Sequence, residues 1–145
     1  MSFEVSASGL EAQRIRMDVI ANNIANAQTT RTADGGPYRR RAVVFKAVGG
    51  TTSKFHRLLT AEDDSLGRGV EVTKIAEQSG DRAFVTVYDP GHPDADANGN
   101  VRLPDIRVAD EMVNLIDASR AYEANVTALN ATKQIAAKTL EIGRA

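Results

Sequence analysis

The chain has 145 residues, a net charge of −1 and an aromatic share of 5%, with no tryptophan. Near-neutral charge excludes a nucleic-acid protein that works through bulk attraction to phosphate, and so few large rings argue against a broad compact core. Cysteine is absent, which excludes a disulfide framework, a thiol nucleophile and a thiolate metal site, and suits a chain that passes from a reducing space to an oxidising one.

At the N-terminal end Phe3, Leu10, Met17 and Ile24 are each seven residues apart, with Ala7, Ile20, Ala21 and Ala27 beside them on a helical wheel. That spacing predicts a helix from about Ser2 to about Gln28 with a heptad-like seam, about 40 Å long. Ile15 and Val19 lie opposite and offer a second apolar face. Gly9 is a weak point, costing about 1 kcal/mol relative to alanine. The first residues carry acids and polar groups where a secretory signal needs an apolar core, and no run nears the length of a membrane span, so neither is expected.

Three asparagines, Asn22, Asn23 and Asn26, interrupt the last turns of this helix. Asparagine is a poor interior residue because its amide competes with the backbone for hydrogen bonds. Asn22 and Asn26 share a face, and Asn23 points about 100° away from Asn22. The three residues either end the helix or fix the register of packed neighbours, as buried amides do in coiled coils. Their interleaving with Ile20, Ala21, Ile24, Ala25 and Ala27 favours a crowded interface. "TTRTADGGPY" then breaks the helix with turn formers.

The middle, from about Asp34 to Pro104, reads as short strands. "YRRRAVVFKAV" has β-branched content, and "GVEVTKIAEQ" and "AFVTVYD" alternate apolar and polar residues. Glycine-rich turns separate them. "YRRR", Tyr38 to Arg41, is a basic run beside an aromatic ring; without an RNA-binding signature around it, a charged strand edge that resists stray pairing is the better reading. His56 and His92, the only histidines, have no spacing partner for metal or triad chemistry. No pair of residues stands out as acid and base, so the sequence reads as a non-enzyme with no cofactor and no metal.

"DADANGNVRLPD" places Asp94, Asp96, Asn98, Gly99, Asn100 and Asp105 at positions 1, 3, 5, 6, 7 and 12 of a calcium-loop template. The flanks disagree: no helix precedes it, position 11 is Pro104, and the last ligand is aspartate where a bidentate glutamate is preferred. An Asx-rich turn explains the same residues. A calcium-binding helical adaptor built on residues 94–105 is the alternative function.

From Val108 to Ile142 there is neither glycine nor proline. Val108, Met112, Leu115, Ser119, Tyr122, Val126, Leu129, Lys133, Ala136 and Leu140 alternate in steps of four and three, the a/d pattern of a coiled coil. This predicts a second long helix, about 50 Å, with Asp110 and Glu111 in its first turn complementing the dipole and Gly143 as its C-cap. The fold class is thus mainly α with a small β-rich insert. Neither apolar stripe can be covered by so small an insert, so the helices pair with each other, with further copies or with a partner.

"SASGLEAQRIRMDVIANNIANAQT" resembles the N-terminal signature of bacterial flagellar rod, hook and hook-associated axial proteins, in Ser8-Gly9-Leu10 and in the core from Ala21 to Asn26. "VYDPGHPDADANGNVRLPDI" and "EMVNLIDASRAYEANVTALNATKQIAAKTLEIG" narrow the resemblance to the proximal-rod protein C type of that family, least across "GGTTSKFHRLLTAEDDSLGRGV". The resemblance implies a structural subunit whose terminal helices, residues 1–32 and 105–145, pair as a coiled coil in the inner tube of an elongated assembly. Residues 33–104 would then be a β-rich outer insert. It implies export through the flagellar type III apparatus into the periplasmic rod of the basal body, torque transmission, and an enclosed export channel. The partners implied are further copies, neighbouring rod proteins, and basal-body ring and export-gate components, with no nucleic acid and no membrane span. The interface residues expected on this view are Phe3, Leu10, Met17, Ile20, Asn22, Asn23, Ile24, Asn26, Met112, Leu115, Ile116, Tyr122, Val126, Leu129 and Leu140.

Overall fold

The computed structural model describes residues 2–49 and 68–143. Helix α1 spans Ser2–Ala25. Strands β1 (Arg41–Val48) and β2 (Gly69–Glu77) pair in one two-stranded sheet. A single 3-10 turn, Asp81–Ala83, leads into β3 (Phe84–Tyr88), which pairs antiparallel with β4 (Asn100–Pro104) in a second sheet. Helix α2, Val108–Ile142, closes the order. The chain is therefore mainly helical with small antiparallel sheets between two long helices. Among the described residues, no helix is long and apolar enough to cross a membrane.

α1 stops three residues short of the expected end. Asn22 turns its amide back onto the carbonyl of Asp18 at 2.8 Å, and Asn26 onto that of Asn22 at 2.9 Å. These local bonds compete with continuation of the ladder, and the chain turns at residues 26–28. α2 matches its expected span. β4 was hidden in the sequence by the calcium-loop pattern, whose span of residues 94–105 contains the whole strand.

Two compact units share these elements. Unit 1 comprises Met1–Ile15, Val44–Lys74 and Ala118–Ala145. In it Ala12 and Ala118 are buried, and a Cβ on Gly9 would stand 3.0 Å from the Asn125 amide. Gly9 thus lets α1 pass close to α2, which explains a residue that weakens the helix by its own propensity. Ser8 Oγ accepts the Val70 N–H at 3.1 Å while donating to the Val5 carbonyl, so it ties the first turns of α1 to the start of β2. Gly69, at φ +124°, leaves the room that Ser8 Oγ occupies.

Unit 2 comprises Arg16–Val43 and Ile75–Asp117. Val19, Ile20, Tyr38, Ala83 and Val101 form its apolar core. Val19, placed by its wheel position on a second face of α1, belongs to this core. The buried set also holds two polar side chains, Asn23 and Glu111, both under 2% exposed. Polar groups so deep must be fully bonded, and they mark the site.

A candidate structural site around Asn23

The last turn of α1, the segment leading into β1 and the first turn of α2 meet in unit 2. Asn23 fills its whole hydrogen-bonding capacity there. Its Nδ2 donates to the Arg41 carbonyl at 2.8 Å and to Glu111 Oε2 at 3.0 Å. Its Oδ1 accepts the Arg41 N–H at 2.9 Å and the Tyr38 hydroxyl at 3.2 Å. By bonding both backbone groups of Arg41, the amide does for the first residue of β1 what a neighbouring strand would do. Asparagine suits this place because one side chain offers both a donor and an acceptor at the right span.

Glu111 is the second anchor. Its Oε1 accepts Arg40 Nε at 2.8 Å and Arg40 Nη2 at 2.6 Å, while Oε2 takes the Asn23 amide. The carboxylate is buried, and half-buried Arg40 supplies the neutralising charge. Charge-assisted bonds of this kind are roughly twice as strong as neutral ones. From the sequence Glu111 counted only as a dipole-complementing residue; its longer-range role has no local signature.

The run "YRRR" is sorted residue by residue. Tyr38 is in the core. Arg39 stacks over the Phe84 ring, 5.3 Å from its centre. Arg40 holds Glu111, and the Arg40 carbonyl accepts the Gln78 N–H at 2.8 Å. Arg41 pairs with Glu77 at 2.8 Å and lies 5.6 Å from the centre of the Tyr38 ring. Alternation along an extended segment sends Tyr38 and Arg40 inward and Arg39 and Arg41 outward.

Burial holds the Tyr38 hydroxyl above its ordinary pKa of 10.0; Arg41 acts against this, while Glu77 and Glu111 reinforce it. The folded chain therefore keeps this proton to higher pH than the unfolded chain. Its contribution to stability is complete below the unfolded value and is lost as pH rises through the folded one. Stability should fall on the alkaline side of pH 10.0, and Tyr38→Phe should flatten that fall. Urea unfolding at stepped pH tests this. Identical alkaline slopes for both proteins would contradict it.

In the loop 94–105 the two leading carboxylates, Asp94 and Asp96, are already engaged. Asp94 pairs with Arg31 at 2.8 Å and accepts the Thr30 hydroxyl at 2.7 Å. Asp96 Oδ1 accepts the N–H groups of Asn98 and Asn100, at 2.8 and 2.9 Å. Those two bonds, Asn100 first, hold the Asp96 carboxyl below the usual carboxylate range. Gly99 takes φ +78° at the bend. This is an Asx turn closing the β3–β4 hairpin, and nothing supports the calcium alternative. His92 accepts the Asp94 N–H at Nδ1; His56 lies outside the described residues.

The fifteen expected interface residues divide by unit and depth. Ile20 and Asn23 are buried within unit 2, where Met17, Ile24, Asn26 and Leu115 are half-buried and Asn22 is exposed. Leu10, Tyr122, Val126 and Leu129 are half-buried in unit 1. Phe3, Met112, Ile116 and Leu140 are exposed, with Leu140 at 72%. Ile135 and Ile142, outside the expected set, are exposed on the same final turns of α2.

A family model described as "Flagella basal body rod protein" matches residues 3–31, and one described as "Flagellar basal body rod FlgEFG protein C-terminal" matches residues 97–142. The first covers α1 and its asparagines; the second covers β4 and α2. Relatives named flagellar basal-body rod protein FlgC match nearly the full chain. That of Bacillus subtilis is 46% identical, covering 99% of this chain and 97% of the relative. That of Borreliella burgdorferi is 43% identical over 97% and 95%, and that of Salmonella typhimurium 39% identical over 98% and 96%. Both matched segments frame the Asn23 site, and the likeness runs end to end: the chain belongs to the FlgC family of flagellar basal-body rod proteins, which are structural components and not enzymes.

Proposed function

We propose that this chain is a subunit of the proximal rod that polymerises through its terminal helices into the drive shaft of the flagellum. Residues 1–32 and 105–145 form the coiled-coil layer that encloses the export channel, and residues 33–104 form an outer insert that locks neighbours together. The observation that carries this reading is the exposure of large apolar side chains along both helices: Phe3 and Val5 on α1, and Met112, Val113, Ile116, Ile135, Leu140 and Ile142 on α2. A single chain leaves so much apolar helix surface in water only where another protein covers it.

The Asn23 site supports the same reading. A rod that passes torque needs subunits that do not shear internally, and a fully bonded buried network gives one unique packing. The chain would reach the periplasmic rod through the flagellar type III apparatus, to which the absence of cysteine is suited. Its partners would be further copies, neighbouring rod proteins, and ring and export-gate components. The experiment is replacement of the resident protein by this chain in a deletion strain. Restored basal bodies support the reading; secreted subunit with no rods overturns it.

A further inference from the structure

We propose that Asn98 is a modification site that the fold keeps shut: its side-chain amide is lost to the Gly99 nitrogen, leaving aspartate or isoaspartate, only when the turn at residues 96–100 opens. Asn98 is the only asparagine in the chain followed by glycine. Glycine has no Cβ, so in an open chain its nitrogen swings freely against the preceding side chain. Asn98 is exposed, and its side-chain amide makes no hydrogen bond among the described residues. The electrophile is therefore open to solvent, and what the fold controls is the position of the nucleophile.

The reaction needs only water and base. Hydroxide takes the Gly99 amide proton, and the Gly99 nitrogen attacks Asn98 Cγ. A C–N bond forms there, the bond from Cγ to Nδ2 breaks, and Nδ2 leaves as ammonia with a proton from water. The product is a cyclic imide. Water then opens it at Cγ, which gives aspartate, or at the main-chain carbonyl, which gives isoaspartate. Isoaspartate routes the backbone through Cβ and Cγ and lengthens it by one carbon.

The turn blocks the first step. Gly99 donates its N–H to the Asp96 carbonyl at 2.9 Å, and Asp96 donates its own to the Asn100 carbonyl at 2.9 Å. Asp96 Oδ1 accepts the N–H groups on either side of Gly99, from Asn98 and Asn100. With Gly99 at φ +78°, this is a tight turn followed by a left-handed glycine. The proton that must be lost is thus bonded inward, and the nitrogen is fixed by bonds on both flanks. The other Asx-Gly step of the chain is held alike: Gly35, at φ +79°, donates to the Thr32 carbonyl at 3.0 Å. In the folded chain the reaction rate is the open-turn rate multiplied by the fraction of time the turn is open. The extra backbone carbon of isoaspartate does not fit between these bonds, so a chain that reacts before it folds loses the turn.

The test is peptide mass spectrometry on the full chain aged in mildly alkaline buffer, either folded or in guanidinium chloride. Asn98 should convert at least about tenfold faster in guanidinium chloride, where no native bond holds the turn, and faster there than any other asparagine. Asp96→Ala removes the side-chain acceptor of the Asn98 and Asn100 N–H groups. In the folded state that loss of two hydrogen bonds should speed conversion at least about fivefold, while circular dichroism stays that of the wild type. Asp96→Asn keeps an acceptor oxygen in the same place and should convert as slowly as the wild type. If Asp96→Ala fails to fold, the wild-type comparison and Asp96→Asn still decide. Equal wild-type rates folded and denatured, another asparagine reacting first in guanidinium chloride, a folded Asp96→Ala as slow as the wild type, or Asp96→Asn converting faster than the wild type would each overturn the proposal.

Discussion

Asn23→Asp is expected to destabilise unit 2 by several kcal/mol. The substitution keeps size and shape, and its oxygens can still accept the Arg41 N–H and the Tyr38 hydroxyl. What it loses are the two amide donations. A carboxylate oxygen would instead face the Arg41 carbonyl and Glu111 Oε2, at positions now 2.8 and 3.0 Å from Nδ2. Each deserted buried acceptor costs about 1–3 kcal/mol, and one arginine cannot neutralise two adjacent buried carboxylates. Glu111→Ala, which strips Arg40 and Asn23 of their shared partner, should cost about 3–5 kcal/mol. Against a total stability of about 5–15 kcal/mol, either change takes a large share. The readout is the urea midpoint of the purified chain. A loss under about 1 kcal/mol for Asn23→Asp, small beside these buried-group costs, would show that the network adds little.

Leu140→Asp separates fold from assembly. Leu140 is 72% exposed near the end of α2, where Ile135 and Ile142 are exposed as well. A charge there should shift monomer stability by no more than about 0.5 kcal/mol, the usual range for surface sites. In an assembled rod the same carboxylate would be buried without a partner, at several kcal/mol per subunit, repeated along the shaft. The expected phenotype is normal subunit stability and secretion with few or no intact basal bodies, counted by electron microscopy. Normal rods and swimming would place Leu140 outside any interface.

The long helices were legible because their signal is periodic. Seven-residue spacing at Phe3, Leu10, Met17 and Ile24, and unbroken a/d alternation after Val108, depend only on local sequence. The strand β4 was not, since residues 94–105 satisfy a liganding template and a turn equally well; the choice depends on what surrounds them, here Arg31 and Thr30 at Asp94. The asparagines show the same divide. Asn22 and Asn26, the pair that shares a face, act on their own helix, and Asn23, the one that points away, makes the contacts distant in sequence. Wheel geometry gives direction but not depth, and depth decides which amide becomes a structural anchor. Glu111 and Arg40 are 71 residues apart, a separation at which no spacing rule operates.

The central claim is that the apolar residues exposed along α2 become buried between subunits. A cryo-electron map of a basal body assembled from this chain tests it most directly. The account predicts that Ile135, Leu140 and Ile142 pack against helices of neighbouring subunits in the inner layer of the rod. A map in which α2 residues 131–142 face open solvent on all sides in the finished rod would contradict it.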